Sequence, residues 1–227
     1  MADEEKAWEH IIRVVEPEFD FRHTALVVID LQNSFAKRDC GLWARLEKEG
    51  LAAESAYAID RLEDTVIPNV ARIAQGMRDI GSPVVFVRCA SMRGDGSDQT
   101  ARHRAQGLVV AETSYEAQIV DELNVQDSDI VLTKSGSGSF TSTNLDHILR
   151  NMGIDSVILT GMWTNSCVET TARHAGDLDY KVILVEDACV AMTPENHDWA
   201  IKYLNNNFAV VRSTSDVMQS VEALSNA

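Results

Sequence analysis

Six short apolar runs, each rich in β-branched residues, are the feature that most constrains how this chain can fold. They occupy residues 24–30, 83–88, 129–134, 156–161, 181–186 and 208–212. The runs are continuous and do not alternate with polar residues, which is typical of strands that helices cover on both faces. Segments with helical periodicity separate them, at residues 58–80, 115–122, 143–152, 167–178, 196–205 and 215–224. This order predicts an α/β protein with three layers, in which a six-stranded parallel sheet lies between helices.

Length and composition predict a single domain. The chain has 227 residues, and its 4 Pro and 12 Gly are spread too thinly to form a linker. We interpret residues 1–227 as one domain with an N-terminal extension at residues 1–21. A charged stretch at about residues 36–57 is longer than the other connections. We interpret this insertion as either a lid or an oligomer contact.

Charge and cysteine content exclude several classes of partner. The 20 Lys and Arg and 35 Asp and Glu give a net charge of −15, which repels phosphate backbones and anionic membranes. No apolar run approaches the roughly 20 residues of a membrane span, and residues 1–13 are acidic, unlike a secretory leader. The 4 cysteines are far apart and are interpreted as separate thiols in a reducing compartment. We expect a cytoplasmic protein that binds neither nucleic acid nor membrane.

Three residues at the ends of apolar runs have the chemistry of a thiol hydrolase. Ligands of parallel sheets bind at the carboxyl ends of the strands, where Asp30, Lys134 and Cys167 lie. A carboxylate can accept and return a proton, and an ammonium can stabilise a thiolate. The start of a helix also favours the thiolate form of a cysteine. Taken singly, Asp30 can merely cap a turn and a cysteine can simply be buried, as we expect for Cys89 and Cys189. Together, the three residues predict a catalytic set.

The same residues lie in three motifs that resemble those of the isochorismatase-like cysteine hydrolases. The motifs are ALVVIDLQNSF at residues 25–35, KSGSGSF at 134–140 and TGMWTNSCVETT at 160–171. The resemblance covers about residues 22 to 220 and implies a catalytic triad of Asp30, Lys134 and Cys167. It also implies a cis peptide bond between Met162 and Trp163. The backbone N–H groups of Trp163 and Cys167 would then form the oxyanion hole.

Differences between branches of this family narrow the expected reaction. True isochorismatases lack the cysteine and cleave a vinyl ether, so Cys167 favours amide chemistry. Nicotinamidases of the family bind metal through an Asp-x-His pair and a later His, but no His occurs here between His23 and His103. We therefore expect no metal and no cofactor. The remaining histidines are interpreted as surface or packing residues: His10, His147, His174 and His197.

The branch that remains is the metal-free amidohydrolases of ureides and carbamoyl amides, which includes N-carbamoylsarcosine, ureidoacrylate, biuret and triuret hydrolases. The sequence therefore predicts a cysteine-dependent amidohydrolase that releases ammonia from a small amide or ureide through a thioester. Two alternatives stay open: a non-catalytic or redox-thiol binding module on the same fold, and a hydrolase of another small carboxamide. The resemblance further implies a homodimer or homotetramer.

Six residues near the motifs are candidates for contacting the substrate: Gln32, Asn33, Phe35, Arg88, Phe140 and Trp163. The two amides can form hydrogen bonds, and Arg88 can bind a carboxylate or pair with an acidic neighbour. Phe35 and Phe140 can equally belong to the core, and Trp163 can either stack on a planar substrate or pack outside the pocket. The SGSGSF sequence lacks the GK[ST] ending of a phosphate loop, which disfavours nucleotide binding.

Overall fold

The strands of the computed structural model, which describes residues 17–107 and 109–225, form one parallel sheet. They are β1 (Thr24–Ile29), β2 (Val84–Cys89), β3 (Ile130–Lys134), β4 (Ser156–Met162), β5 (Lys181–Val190) and β6 (Val210–Arg212). Their order in the sheet is β3-β2-β1-β4-β5-β6, and every neighbouring pair is parallel. The six-stranded α/β fold predicted from the sequence is confirmed. Residues 1–16 of the predicted N-terminal extension lie outside the described residues.

The helices lie on both faces of this sheet. They are α1 (Asn33–Ala36), α2 (Gly41–Lys48), α3 (Ala52–Arg61), α4 (Ile67–Asp79), α5 (Ala101–Ala105), α6 (Ser139–Ser142), α7 (Leu145–Asn151), α8 (Glu169–Asp177), α9 (Pro194–Leu204) and α10 (Thr214–Ser225). A π-helical turn at Leu62–Val66 joins α3 to α4, so the predicted helix at residues 58–80 is part of a longer one. No helix in the described ranges is both long and apolar enough to cross a membrane.

The continuous apolar runs are explained by two separate cores, one on each face of the sheet. Leu26 and Val28 of β1 pack into the core beneath α4 and α10. Val27 and Ile29 of the same strand pack into the opposite core, which α7 and α8 cover. Because side chains alternate between the faces of a strand, a central strand covered on both sides must be apolar at every position.

Two local predictions from the sequence are wrong. Residues 115–122 form two 3₁₀ turns, Tyr115–Ala117 and Asp121–Leu123, and not one helix. The backbone between these turns instead pairs with the segment after β1, where Gln32 bridges Ile119. The strand β3 is not buried on both faces, since Val131 is 41% exposed. It lies at the edge of the sheet, where fewer helices cover it.

The order of the strands places a switch point between β1 and β4. From β1 the chain adds β2 and then β3 on one side of the sheet. From β4 it adds β5 and then β6 on the opposite side. Such a point opens a crevice at the carboxyl ends of the two strands. The close approach of β1 and β4 there requires a glycine at residue 161, which has a φ of 109°. A Cβ on Gly161 would lie 2.1 Å from the carbonyl oxygen of Ile29.

We expect Gly161→Ala to lower the free energy of unfolding by at least about 2 kcal/mol, since it adds a backbone clash to an unfavourable φ. Gly81→Ala is the matched control, because Gly81 also has a positive φ of 76° but nothing lies within 4 Å of its added Cβ. Its expected cost is about 1 kcal/mol. Denaturant unfolding followed by circular dichroism measures both values, and equal losses would contradict the account of this strand pair.

Candidate active site

A cavity of about 370 Å³ opens at the carboxyl ends of β1 and β4, at the switch point of the sheet. Its apolar wall consists of Phe35, Leu42, Leu46, Met162, Trp163 and Met192. Its polar and thiol groups come from Asp30, Arg45, Cys89, Arg102, His103, Gln106, Asn165, Ser166, Cys167 and Asn196. The cavity therefore combines an apolar wall with polar and charged groups that can fix the orientation of a small molecule.

Asp30 is the first residue after β1, and its backbone leaves the strand in the left-handed region with a φ of 58°. The turn is held because the Asp30 N–H donates to Val87 O at 2.8 Å and the Gln32 N–H donates to Asp30 O at 2.9 Å. The residue is buried, at 3% exposure. One carboxylate oxygen, Oδ1, has no hydrogen-bond partner among the residues described. Asp30 therefore offers a free acceptor at the base of the cavity.

Lys134 ends β3 and reaches Asp30 across β2, a separation of two strands or roughly 10 Å. Its Nζ lies 3.0 Å from Asp30 Oδ2 and 3.3 Å from Cys167 Sγ. It also donates to the backbone oxygen of Gly136 at 2.9 Å, so the glycine-rich loop that follows β3 turns back onto the ammonium. All three N–H groups of this fully buried ammonium thus have a partner.

Cys167 lies in the first turn of the helical segment that follows β4. The turn is π-helical, at Thr164–Val168, and continues into α8. Ser166 and Val168 both donate their N–H groups to Trp163 O, at 2.9 and 3.2 Å, and the two donors lie on either side of Cys167. The thiol is 7% exposed and lines the cavity. The structure thus brings Asp30, Lys134 and Cys167 together from three separate strand ends.

Burial and charge set the protonation of these three groups. Burial raises the pKa of Asp30 above its ordinary value, although the Lys134 ammonium opposes the change. Burial by itself would lower the pKa of Lys134, but Asp30 and Cys167 raise it, so the ammonium stays charged. Burial and the Asp30 charge raise the pKa of Cys167 to about 11. The sequence suggested a thiolate favoured by the helix start, whereas the buried thiol is protonated at neutral pH.

The backbone beside Cys167 contains the cis peptide bond that the family resemblance implied. The peptide bond between Met162 and Trp163 is cis, which confirms that expectation. The assignment of the Trp163 and Cys167 N–H groups to an oxyanion hole stays a prediction. The indole of Trp163 lines the cavity and contacts Trp43 edge-on, with ring centroids 5.9 Å apart.

The predicted insertion forms part of the cavity wall. Its helix α2 contributes Leu42, Arg45 and Leu46 to the lining. The helix is anchored by the buried Trp43, whose indole N–H donates to the backbone oxygen of Phe35 at 2.7 Å. Both interpretations offered for this segment, a lid and an oligomer contact, stay predictions.

Two of the six candidate substrate contacts, Phe35 and Trp163, line the cavity, and four lie outside its lining. The amide of Gln32 is fully buried and bonded to Ser34 and to the backbone of Cys89. The amide of Asn33 is also buried and donates to the Tyr115 backbone oxygen. Arg88 pairs with Glu112 at 3.1 Å, and the ring of Phe140 packs against Tyr180 in the core.

Several lining residues had no signal in the sequence. Arg45, Arg102, His103 and Gln106 come from the insertion or from the long connection between β2 and β3, where no strand end marks them. His103 is buried, and burial, with the nearby Lys134 and Arg102 charges, lowers its pKa to about 4.

His197 is also buried and its Nδ1 lies 2.9 Å from Thr164 Oγ1, at the start of the turn that carries Cys167. It therefore packs against the nucleophile loop.

The side chains do not suggest a metal centre. Within residues 17–107 and 109–225, no group of three or more His, Cys, Asp or Glu side chains is arranged to hold a metal ion. The cysteines are all free thiols, and only Cys40 is partly exposed.

Comparisons with known proteins agree with this fold. Residues 24–216 match the isochorismatase domain family. The ureidoacrylate amidohydrolase RutB of Pseudomonas syringae pv. syringae is 32% identical over 188 residues, which are 76% of this chain and 72% of that protein. The structure of N-carbamoylsarcosine amidase from Thermoplasma acidophilum is 29% identical, with a TM-score of 0.65 over 84% of this chain and 96% of that chain.

A more distant structure shows that the whole fold is shared. The crystal structure of a cysteine hydrolase from Pseudomonas syringae pv. phaseolicola has a TM-score of 0.76 over 93% of this chain and 98% of that chain, at 24% identity. The family match extends from the start of β1 into α10 and so includes all six strands and the three residues that meet in the cavity. The chain belongs to the isochorismatase family of hydrolases.

Proposed function

We propose that this protein is a cysteine-dependent amidohydrolase that cleaves the C–N bond of a small linear amide or ureide and releases ammonia. The observation that carries the proposal is the position of Lys134 Nζ, 3.0 Å from Asp30 Oδ2 and 3.3 Å from Cys167 Sγ. The likeness to an amidohydrolase and to an amidase supports the same reaction class.

In the first half of the reaction, Asp30 acts as the general base. Its Oδ1 has no other partner and accepts the proton of the Cys167 thiol. The sulfur attacks the amide carbon, and the negative charge that develops on sulfur is stabilised by the Lys134 ammonium 3.3 Å away. The backbone N–H groups of Trp163 and Cys167 bind the oxyanion of the tetrahedral intermediate. Protonated Asp30 then gives its proton to the departing nitrogen, so ammonia leaves and a thioester remains.

In the second half, water enters in place of ammonia. Asp30 accepts a proton from this water, which attacks the thioester carbon through a second oxyanion. Collapse of that intermediate breaks the C–S bond, and the proton returns to the sulfur. The acid product leaves, and the enzyme is restored. A raised pKa makes Asp30 a stronger base than an exposed carboxylate, which is what both proton transfers need.

The redox-thiol alternative is less well supported. Sensor cysteines are exposed and have a low pKa, because the thiolate reacts with oxidants. Cys167 is 7% exposed, and its pKa is raised to about 11. A protonated thiol next to a free carboxylate oxygen is the resting state that general-base catalysis requires.

Replacing the nucleophile tests the reaction directly. Cys167→Ser is expected to lower the rate of ammonia release by at least about a thousandfold, because a serine hydroxyl is a far weaker nucleophile. Cys40→Ser is the matched control, since Cys40 lies outside the cavity lining, and it should retain full activity. Ammonia release from a panel of small ureides and carboxamides is the measurement. Undiminished turnover by Cys167→Ser would contradict the mechanism.

Asp30→Asn removes both the base and its negative charge, and two measurements report on them separately. Turnover is expected to be lost, because the amide cannot accept the thiol proton. The pKa of Cys167 is expected to fall below about 11, because the Asp30 charge contributes to raising it. Thiolate absorbance in the ultraviolet, with Cys167→Ala subtracted, measures the second effect. An unchanged or higher pKa of Cys167 would show that Asp30 does not act on the thiol.

The pH dependence of kcat/KM follows from the raised pKa of Asp30. The base must be ionised in the free enzyme, so activity is present above this pKa and is lost as the pH falls through it. The midpoint of the acid limb is expected above 3.8, the ordinary value for the group. Initial rates across the acid range, with circular dichroism to exclude unfolding, give the midpoint. An activity that rises only with ionisation of the thiol, in the strongly alkaline range, would contradict the role of Asp30 as the general base.

A further inference from the structure

We propose that the substrate of this site carries a carboxylate in addition to the scissile amide, and that Arg45 and Arg102 bind it. The inference rests on the proposed function for the amide half of the substrate. The observation behind it is that the two guanidinium groups lining the cavity have neutral partners only, in a chain that is strongly acidic.

Arg45 projects into the cavity wall from α2. Its Nη1 donates to the backbone oxygen of Gln106 at 3.2 Å. Arg45 forms no ion pair with a carboxylate in the described part of the chain. Since a guanidinium has five N–H donors and this contact occupies one nitrogen, donors remain for a ligand.

Arg102 comes from α5, in the connection between β2 and β3. Its Nη2 donates to His103 Nε2 at 3.0 Å and to the hydroxyl of Ser137. Because Nε2 accepts this bond, the imidazole of His103 is neutral, and its low pKa agrees with that state. Glu169 lines an adjoining surface depression together with Arg102, but it is paired with Arg173 at 2.8 Å. Over residues 17–107 and 109–225, Arg102 thus has no carboxylate partner.

These two arginines differ from others in the protein. Ion pairs with Asp or Glu are formed by Arg38, Arg72, Arg78, Arg88, Arg93, Arg150 and Arg173. With 35 acidic and 20 basic residues in the chain, carboxylate partners are abundant. Arg61 and Arg104 also contact neutral groups only, but they lie outside the cavity lining. What distinguishes Arg45 and Arg102 is that both line the same cavity.

The charge of the cavity follows from its lining. Its one carboxylate, Asp30, is already neutralised by Lys134, and Cys167 is a protonated thiol. The charges of Arg45 and Arg102 are thus uncompensated. Guanidinium groups bind carboxylates with paired hydrogen bonds, so an anionic substrate gains a contact that a neutral, biuret-like ureide lacks. Leu42 and Leu46 lie on the same wall and suit a short apolar spacer between the carboxylate and the amide.

The test compares acids with neutral analogues of the same shape. The probes are N-carbamoylglycine and N-carbamoyl-β-alanine, their methyl esters, and biuret. We expect at least about tenfold higher kcat/KM for ammonia release from an acid than from its ester, as for a charge-assisted hydrogen bond. Arg45→Gln and Arg102→Gln should each remove about tenfold of this preference by raising KM, with kcat changed less than about threefold, because the contact binds ground and transition states alike.

Arg72→Gln is the matched control, since Arg72 is exposed, pairs with Glu222 and lies outside the cavity lining. It removes one positive charge and should leave the preference for acids unchanged. Arg45→Lys and Arg102→Lys keep the charge and should restore part of the preference. Full restoration is not expected, because lysine cannot form the paired hydrogen bonds.

A binding measurement keeps this inference separate from the proposed function. Calorimetric titration of Cys167→Ala with N-carbamoylglycine should show binding that weakens in the Arg45→Gln and Arg102→Gln variants. If the acid binds in this way but no probe releases ammonia, the carboxylate site stands and the proposed function fails. If esters and biuret are hydrolysed as well as the acids, the carboxylate site is wrong and the proposed function stands. If the acid binds equally well without the arginines, the carboxylate site is wrong, and ammonia release from the probes decides the proposed function separately.

Discussion

The buried ammonium of Lys134 is the contact on which the site depends. A charge removed from water costs several kcal/mol unless it is paired and fully hydrogen-bonded. Lys134 meets this condition with Asp30, Cys167 and the backbone of Gly136. The same contact holds the carboxylate in place, favours its charged form and brings the thiol beside it. Structure and chemistry at this site therefore have one physical origin.

The strand order makes this contact possible. Asp30 follows the central strand β1, Cys167 follows its neighbour β4, and Lys134 lies on the edge strand β3. A long, flexible side chain is needed at the third position, since it must pass over β2, whereas the short side chains of Asp30 and Cys167 suffice at the switch point. The glycine at position 161 lets β1 and β4 approach closely enough for their ends to share one cavity.

Much of this arrangement could be predicted from the sequence, because buried strands leave a strong pattern and parallel strands end on one side. These two rules were enough to predict the six strands and to expect Asp30, Lys134 and Cys167 at the same edge of the sheet. Connections were harder to predict. Residues 115–122 have helical periodicity, yet pair with the segment after β1. Arg45 and Arg102 lie on short helices in such connections, and only the folded chain shows that they line the cavity. The amide of Gln32 could form hydrogen bonds with a substrate, but its nitrogen and its oxygen are already bonded to the backbone of Cys89.

The central claim is that Cys167 becomes acylated during turnover, and mass spectrometry of the enzyme quenched in acid during the first turnover tests it most directly. With N-carbamoylglycine or another hydrolysed probe, the account predicts a transient increase in mass equal to the acyl group. Peptide mapping should place this group on Cys167, and it should decay at the rate at which product appears. Turnover at full rate with the Cys167 peptide unmodified at every time point, and no hydroxamate formed when hydroxylamine is added, would contradict the account.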